Sequence, residues 1–161
     1  MAVKPALTFH ARPWLIAGLT LAADQLTKFL IMDSFAPGET VPVLVPALSL
    51  TYVQNTGAAF GLFKGAQALF IVCSLAVIGW IVRELVTRVR QGPTLWGCSL
   101  VLGGACGNLI DRLRFGHVVD FIDLHVWPVF NVGDSAITIG VTLLISHALF
   151  AEKQRRPSRK R

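Results

Sequence analysis

The chain has 161 residues, 53% of them hydrophobic and only 15% charged, with a mean hydropathy of +0.60. A soluble domain carries roughly 25% charged residues, so this composition excludes an ordinary soluble protein and reads as a single integral membrane domain over 1–161. The net charge of +6 does not mark a nucleic-acid reader, because six of the 15 basic residues crowd into Lys153 to Arg161, where they suit a basic cytoplasmic tail held near anionic lipid.

The first apolar run covers about 13 to 32, long enough for a helix across a core about 30 Å thick. Lys4 and Arg12 precede it as they precede a signal peptide, but its length and the lack of an Ala-x-Ala site before Asp24 favour a retained span. Asp24 and Lys28 lie four apart within it, on one helical face. Next come two β-rich runs, Thr40 to Val45 and Leu48 to Val53, around Pro46-Ala47, and the second alternates like a half-buried strand. They predict a small sheet resting on the outer membrane surface, with Pro42 and Pro46 at its edge. Asn55 follows, with Gly57 and Gly61 able to give tight turns or close backbone approach. Three further runs, at about 66 to 86, 95 to 114 and 131 to 151, complete four spans. The fold class is therefore a membrane all-α, four-transmembrane-helix bundle with a small extracytoplasmic β element between helices 1 and 2. Gly103 and Gly107 give span three a Gly-x-x-x-Gly face for close helix packing.

Cys73, Cys98 and Cys106 all fall in apolar runs and read as small buried hydrophobes. His10, His117, His125 and His147 form no His-Glu-x-x-His helix, so no metal site is expected. Phe60, Phe63 and Trp127 suit the aromatic belt at the membrane interface.

Basic residues flank the spans at the N-terminus, after span two (Arg83, Arg88, Arg90) and at the C-terminus. Positive-inside bias then makes both termini and the middle loop cytoplasmic, leaving segments 33–65 and 115–130 outside. In that orientation Asp24 and Lys28, Asn108 with Asp111 and Arg112, and Asn131 with Asp134 converge on one level near the outer face. Charge inside a bilayer is costly, about 2.5–3.5 kcal/mol per residue on insertion scales, and marks function or a satisfied pair. Asp24 with Lys28 and Asp111 with Arg112 read equally well as ion pairs that hold helices together. Asp120 and Asp134 do not, since neither has a basic residue three or four positions away. Two carboxylates brought close by a folded connection share one proton, so one serves as general base toward water and the other as general acid, as peptide hydrolysis requires. A small ion or proton transporter, and an assembly subunit whose polar residues glue helices, remain alternatives. A serine peptidase built on Ser135 with His117 or His147 lacks a glycine-flanked nucleophile.

Five ordered motifs carry a resemblance. They are Asp24-Gln25-Leu26-Thr27-Lys28, Asn55-Thr56-Gly57-Ala58-Ala59-Phe60, the block Gly103 to Arg112, Val118-Val119-Asp120-Phe121 and Phe130 to Ser135. Together they resemble the lipoprotein signal peptidases, or signal peptidase II, of bacterial inner membranes. The resemblance implies an aspartic endopeptidase that cleaves diacylglyceryl-modified prolipoproteins before the lipid-modified cysteine. It implies catalysis by Asp120 and Asp134, substrate binding by Asn55, Asn108, Arg112 and Asn131, and support from Asp24, Lys28 and Asp111. It further implies no metal or organic cofactor, membrane lipid and the precursor as partners, and inhibition by globomycin at the dyad; the chain itself is expected to be a monomer. Two departures stand out: Gly133 where the family usually has alanine, expected to loosen the start of span four, and a short connection between the two aspartates.

Overall fold

The computed structural model describes residues 11–57, 66–88 and 91–155, with side chains through 150. Four helices, α1 (Ala11–Ser34), α2 (Gln67–Thr87), α3 (Gly92–Phe115) and α4 (Val132–Arg155), are joined by strands β1 (Thr40–Leu44), β2 (Leu48–Asn55) and β3 (Val118–Asp123). All four helices are long and apolar enough to cross a membrane. The expectations for Phe60, Gly61, Phe63, Arg90, the first ten residues and the tail from 156 lie outside the described residues.

Helix α3 is the hub, packing against α1, α2 and α4. Glycine makes this possible. A Cβ at Gly103 would stand 2.6 Å from the Ala17 carbonyl oxygen of α1, and one at Gly107 would collide with the Asp24 carboxylate. The Gly-x-x-x-Gly face is thus the α1 contact, brought to backbone distance as small residues allow in lipid. Pro93 opens α3, where a missing N–H costs nothing. Gly116 closes it in the left-handed region at φ 78°, its N–H donating to the Arg112 carbonyl at 3.1 Å. Outward-facing leucines and valines such as Leu15, Leu19, Leu69, Val72 and Leu149 are more than half exposed, as a lipid-facing surface requires.

The sheet has order β1-β2-β3, antiparallel throughout, so proline-bearing β1 is an edge strand as expected. Its third strand comes from the connection between α3 and α4, an outer segment in which the sequence predicts no strand. Ile31, Tyr52, Val119 and Phe121 form a buried cluster that seats the sheet on the end of α1. Because side chains alternate across a strand, burying Val119 and Phe121 there turns Asp120 to the opposite face.

Candidate active site

One side of that junction is a cavity of about 320 Å³, whose lining includes Asn55, Gly57, Phe70, Asn108, Arg112, Asp120 and Asp134, with a wall formed by Trp127 to Phe130. Asp120 reaches it from β3 and Asp134 from the first turn of α4. Asn131 connects them. Its Nδ2 donates to Asp120 Oδ1 at 2.7 Å, while its backbone N–H donates to Asp134 Oδ2 at 3.3 Å. Its Oδ1 in turn accepts the Asp134 N–H at 2.8 Å. Asn131 and Asp134 therefore form a reciprocal cap at the start of α4, of the Asn-x-x-Asp kind visible in the sequence. This fixes the Asp134 carboxylate by backbone geometry.

The remaining oxygens are also engaged. Asn55 Nδ2 donates to Asp120 Oδ2 at 2.8 Å, and Asn55 is itself steadied by the Gly57 N–H at 3.0 Å. Asn108 Nδ2 donates to Asp134 Oδ1 at 2.7 Å. The resemblance implies that these three asparagines bind substrate; in the structure their amides are committed to the two aspartates and to each other. Burial first, and the Asp134 charge second, push the Asp120 carboxyl up to about 7, against the opposing hydrogen bonds from Asn55 and Asn131 and the charge of Lys28.

Behind the asparagines lies a buried ion cluster. Lys28 Nζ contacts Asp24 at 2.9 Å, Asp111 at 2.8 Å and Asn108 Oδ1 at 2.8 Å, and all three charged side chains are at most 1% exposed. Asp24 also accepts the Gly133 N–H at 2.7 Å, and Asp111 accepts the Val119 N–H at 3.1 Å, so the cluster ties α1 and α3 to the two segments that carry Asp120 and Asp134. The loosening expected from Gly133 is countered there: its N–H is held, and a Cβ would stand 2.9 Å from the Asp24 oxygen. Gln25, which sequence reading passed over, donates to Asp111 at 3.0 Å, and Gln67 donates to the Arg112 carbonyl at 2.8 Å.

Asp111 pairs with Lys28 and not with its neighbour Arg112. Adjacent helical residues face different ways, and Arg112 turns into the cavity with its guanidinium 5.1 Å from the Phe70 ring centre. Among the described residues no carboxylate forms a salt bridge with Arg112. Trp127, expected in the interface belt, lines the cavity while remaining 59% exposed. No group of three His, Cys, Asp or Glu suited to a metal ion occurs among the described residues.

Known proteins resemble this chain over nearly its whole length. The family described as signal peptidase (SPase) II matches residues 16–150. A lipoprotein signal peptidase of Halothermothrix orenii is 41% identical over 140 residues, which is 87% of this chain and 97% of that one. Its counterpart in Moorella thermoacetica is 48% identical over 131 residues, covering 81% of this chain and 87% of the relative. A bacterial membrane enzyme solved by the in meso method at 2.3 Å resolution superposes with a TM-score of 0.86 at 31% identity, covering 95% of this chain and 96% of that one.

Proposed function

The chain belongs to the signal peptidase II family, and from that premise we propose that Asp120 and Asp134 are the aspartic dyad with which it cuts. It is a multi-pass bacterial membrane protease that removes signal peptides from prolipoproteins. The observation that carries the dyad is the shared cavity, in which a single residue, Asn131, binds both carboxylates, Asp120 through its side-chain amide and Asp134 through its backbone N–H.

The two aspartates differ in environment, and that difference supports separate roles for them. Asp134 sits at the N-terminal end of α4, where the helix dipole presents partial positive charge. It carries the negative charge and takes a proton from the attacking water. Asp120, with its carboxyl raised to about 7, carries the shared proton and gives it to the scissile carbonyl oxygen. Collapse of the tetrahedral intermediate then breaks the C–N bond as Asp134 gives its proton to the departing amine and Asp120 takes one from a hydroxyl of the intermediate, which leaves the dyad with one proton. Asn55, Asn108 and Asn131 hold both carboxylates in register throughout, a preorganisation that lowers the barrier without any movement at the reacting atoms.

Arg112 is free to bind an ester carbonyl of the diacylglyceryl group, and the apolar wall from Trp127 to Phe130 receives the substrate beside it. The bond cut is the one before the lipid-modified cysteine. The whole of 1–161 acts as one peptidase domain and as a monomer, with both termini cytoplasmic and the cavity at the extracytoplasmic face. Globomycin inhibits by occupying the dyad.

The test is cleavage by protein reconstituted in liposomes, with the released peptide identified by mass. A diacylglyceryl-modified precursor is expected to yield a peptide ending at the residue before the cysteine, and the unmodified precursor is expected to stay intact. Equal cutting of both precursors, or cutting elsewhere, would remove the lipid-directed reading.

A further inference from the structure

The wall of the cavity is a loop, 124–130, with one polar side chain, His125, in the run Leu124-His125-Val126-Trp127-Pro128-Val129-Phe130. The base of the loop is closed by pairing of Phe130 with Ile122, with bonds of 2.8 and 3.1 Å. Its tip has little apolar burial to hold it: Val126 is 90% exposed and Trp127 59%. His125 sits at the tip with φ 62°, a left-handed conformation uncommon outside glycine and kept where the surroundings over-determine it.

Those surroundings are polar and specific. The His125 N–H donates to Asp123 Oδ1 at 2.8 Å, its Nδ1 stands 3.5 Å from the same oxygen, and its Nε2 lies 3.1 Å from Ser49 Oγ on β2. Thr51 Oγ1 donates to the other Asp123 oxygen at 3.0 Å, which completes a bridge from β2 through β3 to the loop. The order Ser49, His125, Asp123 resembles a serine hydrolase triad, yet Ser49 is only 3% exposed and offers no reachable nucleophile. A buried serine and a carboxylate fixed by its neighbours are anchors. The histidine is what they hold.

We propose that His125 is a positioning residue for the cleavage reaction: it latches loop 124–130 to the sheet, so that Trp127 to Phe130 stand as a fixed wall against which the precursor binds. The inference rests on the reading of this cavity as the cleavage site. His125 does not itself line the cavity, so it acts through the loop on substrate affinity and leaves the chemistry to the dyad.

Three variants test the latch in reconstituted enzyme: His125→Gly, which accepts the left-handed backbone and deletes the imidazole; His125→Asn, which tolerates that backbone and restores a side-chain amide; and Ser49→Ala, which removes the far anchor. His125→Gly is expected to raise KM for the diacylglyceryl precursor about tenfold, the scale of one or two lost hydrogen bonds, with kcat within about twofold. Amide hydrogen exchange in 124–130 should quicken in the same variant. His125→Asn, whose amide can meet Asp123 but not Ser49, should recover part of both, and Ser49→Ala should shift both in the direction of His125→Gly, with no further loss in the double variant. Unchanged KM and unchanged exchange in His125→Gly would overturn the proposal, as would a fall in kcat and melting temperature at constant KM. Asp134→Asn, assayed alongside, separates the two readings: if it still cuts, the cavity is not the cleavage site, whereas exchange in 124–130 reports on the latch regardless.

Discussion

Asp120→Asn and Asp134→Asn each lower precursor cleavage by about 10³-fold or more, the loss expected when a general acid or a general base is removed. Both variants are expected to fold and insert, because asparagine keeps the shape of aspartate and still accepts one hydrogen bond. Asp120→Asn has a second, opposite effect that identifies its cause. A carboxyl whose folded-state pKa is raised to about 7 favours the fold while protonated, below its unfolded value near 3.9. That favour is lost as pH rises through about 7. The wild-type protein therefore loses stability between about pH 4 and 7, on the order of a few kcal/mol, and the asparagine variant does not. Melting curves in detergent should show the variant gaining on the wild type from pH 5 to pH 8 while its activity is gone. A variant that melts lower than the wild type at pH 8 would place Asp120 among the residues that hold the fold rather than those that strain it.

Lys28→Met produces the largest structural loss. The ammonium is the shared partner of Asp24 and Asp111 and also donates to Asn108 Oδ1, all in a site closed to water. Removing one member of a buried ion group leaves charge without compensation, at a cost of about 3–5 kcal/mol. Against a total stability of about 5–15 kcal/mol this is severe, and it corresponds to a fall in melting temperature of roughly 10 °C. Activity falls further than stability alone explains. Lys28 and Asn131 Nδ2 both point at the Asn108 carbonyl oxygen, which turns the Asn108 amide group toward Asp134. Without Lys28 that orientation is less firmly set, and the donor to Asp134 is weakened. Lys28→Arg should not rescue either property, since a planar guanidinium cannot place one charge among three close acceptors. Full activity in Lys28→Met at permissive temperature would show that the cluster serves stability alone.

The four spans were legible because length and apolarity alone decide whether a helix crosses a bilayer. The link between Asp24 and Lys28 was legible because helical spacing of four is local. The third strand was not: Val118–Asp123 pairs with β2, whose residues lie more than 60 positions earlier, and such pairing leaves no local period. The same limit hid the partner of Asp111, which sequence adjacency assigned to Arg112 and the fold assigns to Lys28 across a helix interface. The motifs single out the asparagines, but the direction of their amides does not follow from sequence, because whether an amide faces the substrate or a carboxylate depends on three elements meeting. Asn131 shows both sides of this. Its cap on α4 follows from the Asn-x-x-Asp spacing, and its bond to Asp120 follows only from β3 lying beside that cap.

The most direct test of the dyad is the titration of the Asp120 carboxyl followed by carbon-13 NMR of protein labelled at the aspartate carboxyls, in the wild type and in Asp134→Asn. A shared proton predicts that Asp120 titrates near 7 in the wild type and at lower pH once the neighbouring charge is gone. An Asp120 that titrates in the ordinary carboxylate range, with no response to Asp134→Asn, would contradict the account.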